Sequence, residues 1–144
     1  MAISNWLENN LIDFLLRGQV FTPPATIYVG LFITAPDDAA GGTEVSGGSY
    51  ARVSRACTLA NFSGTQGAGT TAVSSGTSGT SSNNADITFP APTANWGTVT
   101  HLAVFDAATG GNLLFYAPLA SAKTINNGDS APAFPVSNLT FTLD

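Results

Sequence analysis

The run Thr26-Ile27-Tyr28-Val29-Gly30-Leu31-Phe32-Ile33-Thr34 decides the fold class. It is rich in β-branched and aromatic side chains, and it is too continuously apolar for a strand with one face in water. That pattern reads as a central strand buried on both faces. Pro23 and Pro24 stand before it and set it off from what precedes.

Upstream the pattern is helical. Ser4 is a good N-cap, residues 5–17 contain neither Gly nor Pro, and Gly18 stands where a left-handed residue stops a helix. Trp6, Leu7, Leu11, Phe14 and Leu15 recur at helical spacing, while Asp13 and Arg17 are placed for an i, i+4 ion pair. An amphipathic helix over 1–18 must dock, either on its own domain or on a neighbouring subunit.

Downstream, residues 35–48 read as a loop holding Asp37, Asp38 and several glycines, and 50–59 supports a second strand. Further strands are expected at 85–89, 99–106, 113–118, 122–125 and 136–143. Thr109-Gly110-Gly111-Asn112 can close a hairpin, and Asn127-Gly128 a tight turn. About seven short strands with no helix between them imply a mainly β fold, an antiparallel sandwich or jelly-roll-like barrel with one short N-terminal amphipathic helix. The helix of 1–18 belongs to the same domain as the single β-domain of 19–144. Within that domain, 63–84 is dominated by Ser, Thr and Gly and reads as a flexible loop, or as a polar segment laid across a neighbour.

Composition narrows function. Only 9% of the 144 residues are charged, against roughly a quarter in average domains. A surface covered by Ser, Thr, Asn and Gly favours a component that lies against other subunits. With a net charge of −5 and only Arg17, Arg52, Arg55 and Lys123 as fixed cations, no nucleic-acid partner is expected. Arg52 and Arg55 are expected to pair with Glu44 or with Asp37 and Asp38. The apolar run ending at Arg17 falls short of the roughly 20 residues of a membrane span, and no basic leader precedes it, so no membrane partner is expected. Cys57 alone forms no intrachain disulfide and reads as a buried, inert thiol.

No catalytic residues, no metal site and no cofactor are expected. His101 is the one histidine and reads as structural. No HxxH, CxxC or HExxH spacing occurs; Asp37-Asp38 or Asp86 with Asp106 are formally available as paired carboxylates, but Asp37 and Asp38 lie in a Gly-rich loop with no nearby residue marked for substrate. Trp96 and Tyr50 offer a sugar-stacking platform, but buried or interface aromatics are the plainer reading.

Several runs taken together carry a resemblance. They are Ser4-Asn-Trp-Leu-Glu-Asn-Asn-Leu, Pro24-Ala-Thr-Ile-Tyr-Val-Gly-Leu-Phe, Gly42-Thr-Glu-Val-Ser-Gly-Gly-Ser-Tyr-Ala-Arg52, Ala85-Asp-Ile-Thr-Phe-Pro90 and Asn95-Trp-Gly-Thr-Val-Thr-His101. In this order, over nearly the whole chain, they resemble small proteins of tailed phages and prophages known as phage tail-fibre-like proteins. The long segment 63–84 departs from the shorter pattern of that family. The resemblance implies a structural virion protein, made in the bacterial host cytoplasm, with no enzymatic residues to carry over.

A fibre needs length, and the chain has neither heptads nor a repeat. The leading expectation is therefore a capsid cement or decoration protein, a homo-oligomer and preferably a trimer, bridging copies of the major capsid protein. The alternative is a tail-fibre or tail-associated protein with tail partners, and a host-glycan-binding module is a lesser reading. Trp6, Leu7, Leu11, Phe14, Tyr50, Arg52, Arg55 and Trp96 are the expected assembly contacts. The other role open to these aromatics is in the chain's own core.

Overall fold

The computed structural model describes residues 1–143; Asp144, the last residue of the expected β-domain, lies outside them. In chain order the elements are β1 (Ala2–Ile3), α1 (Asn5–Leu16), β2 (Thr26–Thr34), β3 (Thr43–Glu44), β4 (Val53–Ala56), β5 (Thr80–Ser82), β6 (Ile87–Thr88), β7 (Gly97–Phe105), β8 (Leu113–Ile125), β9 (Ala133–Phe134) and β10 (Thr140–Thr142). The fold is mainly β and wholly antiparallel, as the patterning implied.

The main sheet runs β1-β8-β7-β2, and β4 and β3 share the far edge of β2. It does not close, so the barrel alternative gives way to open sheets. Two small sheets, β5 with β10 and β6 with β9, supply the second layer. Ile27, Val29, Leu31, Leu102, Val104 and Leu114 of the main sheet share one core with Ile87, Phe89, Leu139 and Phe141 from the small sheets and their flanks. On the opposite face Phe32, Ala103, Phe105 and Leu113 form a second buried cluster. The unbroken apolar character of β2 follows directly, since it faces a core on both sides.

The hairpin at 106–112 forms as its glycines imply, with Gly110 and Gly111 both at positive φ. Asp106 locks it, its Oδ1 accepting from the Asn112 backbone N–H and its Oδ2 from the Asn112 side-chain amide, both at 2.7 Å. The expected strands 113–118 and 122–125 are one strand, β8. Its register against β7 passes from His101↔Pro118 to Val99↔Lys123, so the residues between form a bulge rather than a turn. The strand expected over 50–59 contracts to β4, that over 85–89 to β6, and that over 136–143 to β10.

The Ser/Thr/Gly segment is not the loose loop its composition implied. Ser63, Ser82 and Asn83 are buried, and β5 pairs with β10 inside the segment. Asn83, fully buried, donates from Nδ2 to Ala85 O and Pro135 O and accepts from Leu139 N, each at 2.9 Å. One amide thereby ties the end of the segment to the chain leading into β10. Residues 71–78 remain exposed, folded back by bonds such as Gln66 Nε2 to Val73 O at 2.7 Å and Ser78 Oγ to Thr65 O at 2.8 Å.

Candidate functional site

The residues expected to make assembly contacts divide into three environments. The first is the N-terminal helix. Ser4 caps it as expected, accepting from Leu7 N and donating from its hydroxyl to Leu113 O. Ser4 N also donates to Leu114 O at 3.0 Å, and Asn5 N to Asp38 O at 3.1 Å, so the start of α1 is pinned to β8 and the 35–42 loop. Leu7 is buried in the chain's own core, which corrects its expected surface role. Trp6 and Leu11 are half-buried against that core, Trp6 meeting Phe21 edge-on at 6.2 Å.

The second half of α1 is different. Ile12 and Phe14 are about half exposed, Leu15 71%, Leu16 80%, and Val20 beyond the helix 91%. Asp13 and Arg17 form the expected pair at 2.7 Å, cancelling the charge within this patch. The docking alternatives left open by the sequence thus divide along the helix: its first turns pack on the chain itself, and its last turns stand uncovered. Of the expected contacts only Phe14 belongs to the uncovered part. Ile12, Leu15, Leu16 and Val20 are uncovered as well and were not among the expected contacts; for the first three the signal was the density of the run 11–16, which has more apolar positions than one stripe can use.

The second environment is a polar clamp. Glu44 on β3 receives Arg52 bidentately, Nε to Oε1 and Nη2 to Oε2, both at 2.8 Å. Arg52 Nη1 donates to Ala107 O at 2.9 Å and Gly110 O at 2.8 Å, and the guanidinium lies 3.5 Å from the centroid of the Phe105 ring. The side chain is 7% exposed. Tyr50 donates to Glu44 Oε1 and accepts from Leu31 N, each at 2.8 Å, filling the gap in the β2 edge between β4 and β3. Burial pushes the Tyr50 hydroxyl far above the usual phenol range. Trp96 stands edge-on to Tyr50 at 5.3 Å, is 4% exposed, and donates Nε1 to Gly48 O at 2.9 Å. Tyr50, Arg52 and Trp96 therefore brace the fold, and because Trp96 is buried with half-buried Tyr50 edge-on to it, the two rings present no open sugar-stacking platform.

Arg55 makes the third. It is half-buried and reaches across to the Asp86 carbonyl instead of to a carboxylate. Of the expected ion pairs, that of Arg52 with Glu44 forms. Asp37 is instead engaged by the N–H groups of Ala39 and Gly41, and Asp38 by the Tyr116 hydroxyl.

The groups considered for chemistry are held apart. His101 Nδ1 bonds its neighbour Thr100 Oγ1 at 2.9 Å. Asp86 accepts from Val136 N at 3.0 Å, and Asp106 is spent on Asn112. Among the described residues no three His, Cys, Asp or Glu are grouped as metal ligands, and no helix is long and apolar enough to cross a membrane. Cys57 is exposed, which overturns its expected burial. It follows β4 on the outer edge of the sheet, where its N–H bonds Ala25 O at 2.9 Å.

An open groove of about 500 Å³ lies where the main sheet and the β6/β9 sheet part, lined by Leu31, Phe89, Leu102, Leu119 and Phe134 with Lys123 among its walls. Like the bare end of α1, it is an apolar surface left uncovered among the described residues; a smaller apolar pocket lies between Ile27, Phe62, Phe115 and Phe141.

Residues 2–142 match the sequence model of a family described as Podophage GP4 fiber I protein gp80. No curated protein gives a match.

Proposed function

The chain belongs to the podophage GP4 fiber I protein gp80 family, and from that premise we propose that this tailed-phage structural protein is a building block of the tail fibre. The observation that carries the reading is the extent of the family match, which takes in the helix, both core layers and the Ser/Thr/Gly segment. It favours the tail-fibre alternative over the capsid cement that the missing shaft and heptads had suggested. Length in a fibre can come from stacking compact units as well as from a coiled coil, and an open β-fold with uncovered apolar surfaces suits such stacking.

The role asks for binding and no bond chemistry. Each copy stabilises the assembled state by burying surface that the free chain exposes. The clamp of Arg52, Glu44 and Tyr50 keeps the unit rigid, so that little ordering remains to oppose association.

Removing the chain from a phage that encodes it tests the reading. Particles should keep intact, heat-stable heads while losing fibres in electron micrographs and adsorbing poorly to host cells. Heads that burst on mild heating while fibres persist would return the protein to the capsid and overturn the proposal.

A further inference from the structure

The last turns of α1 carry five apolar residues out of six, Asp13 being the exception. Ile12, Leu15 and Leu16 are exposed, and Phe14, two turns on from buried Leu7, is half exposed. Large apolar side chains clustered at an exposed helix end are normally covered. Together with Val20 the exposed side chains amount to an apolar patch on the order of 500 Å², more than half of the roughly 800 Å² that each partner gives to a standard interface.

The same chain holds a surface of complementary form. The groove between β8 and β9 opens about 500 Å³ against Phe89, Leu102, Leu119 and Phe134. A 150 Å³ apolar cavity takes a benzene ring, so this volume accommodates roughly three large aliphatic or aromatic side chains.

Charge matches as well. Glu8 is exposed and shares the outward helix face with Ile12 and Leu15, at i, i+4 and i+7. Lys123, at the groove, is exposed, and neither residue has an ionic partner among the described residues. Elsewhere two copies carrying −5 each repel. At the helix end the Asp13–Arg17 pair leaves the patch neutral.

We infer that copies of this chain join head to tail, the last turns of α1 of one copy entering the β8/β9 groove of the next, with Glu8 of the first beside Lys123 of the second. One contact covers both the helix end and the groove. Because the two surfaces differ, the contact is heterologous and propagates or closes into a ring. It belongs to the isolated chain and stands independently of the location on the virion.

Sedimentation of the full chain over a range of concentrations tests it. The wild-type chain should associate, and Leu16→Asp should abolish association while circular dichroism stays unchanged. Glu8→Lys and Lys123→Glu should each weaken it on the order of tenfold, and the double variant should restore it. A mixture of Leu16→Asp, whose groove is intact, with Leu119→Asp, whose helix is intact, should form a dimer that grows no further. Should Leu119→Asp misfold, the charge exchange decides alone. A wild-type chain that stays monomeric, association surviving Leu16→Asp, or a double charge variant no better than the single ones would each overturn the contact. So would a monomer whose Leu16→Asp variant drops off particles, which would give the helix to another virion protein.

Discussion

Arg52 and Glu44 meet in a two-point contact, with both nitrogen–oxygen distances 2.8 Å, and the same guanidinium also caps two carbonyls of the β7–β8 hairpin. A residue expected to face a partner is thus the tie between the β3/β4 edge and the hairpin.

The geometry predicts that Arg52→Lys is not conservative. A lysine cannot serve both carboxylate oxygens and both carbonyls, so buried acceptors are left short. Unfolding by denaturant should show a loss of about 1–3 kcal/mol, and Arg52→Ala about 3–5 kcal/mol, the range for breaking a largely buried pair. Gly30→Ala should disturb the same clamp by overpacking, because a Cβ there would come within 2.8 Å of Glu44 Oε1 and 3.2 Å of the Tyr50 hydroxyl. Unchanged midpoints in these variants would contradict the clamp.

Asn83 joins three backbone groups from two chain segments while fully buried. Asn83→Ala strands those groups and should cost at least about 1–3 kcal/mol. Residues 63–79 should at the same time become sensitive to protease. Resistance equal to wild type would show that the segment is held by something else.

The Tyr116 hydroxyl bonds the Asp38 carboxylate, which holds its pKa up, to about 12 from 10.0, with desolvation a lesser cause. A raised pKa means that the folded state retains the proton where the unfolded chain releases it. The associated stability is complete below pH 10 and fades as pH rises towards 12. Denaturant midpoints measured across that interval should fall, and Tyr116→Phe should flatten part of the fall. Tyr50, shifted further by burial, maintains the decline at higher pH.

Cys57 is exposed as a residue, yet partial burial desolvates its thiol and raises its pKa. A maleimide should label the folded chain to one equivalent without denaturant, more slowly than it labels the unfolded chain at the same pH, because less thiolate is present. Labelling only after unfolding would restore the buried thiol expected from the sequence.

These residues show how far the sequence could be read. β2, β7, the capped helix with its Asp13–Arg17 pair and the Gly110-Gly111 hairpin were legible because each is specified by neighbours a few positions apart. The two-residue strands β1, β3 and β9 are too short to carry a period, and the bulge in β8 imitates a turn. Asn83 sits in a stretch whose composition says loop, and its role rests on partners more than fifty residues away. The contact residues were the least legible. Aromatic and arginine side chains suit interfaces and cores equally, and only the folded chain separates Trp96 and Leu7, which are inside, from Phe14, which is not.

The central claim, a structural unit of the tail fibre, is tested most directly by quantitative mass spectrometry of purified particles with heads and tails separated. The account predicts a small number of copies per particle, all leaving with the tail fraction. A copy number near that of the major capsid protein, retained on tail-less heads, would contradict it.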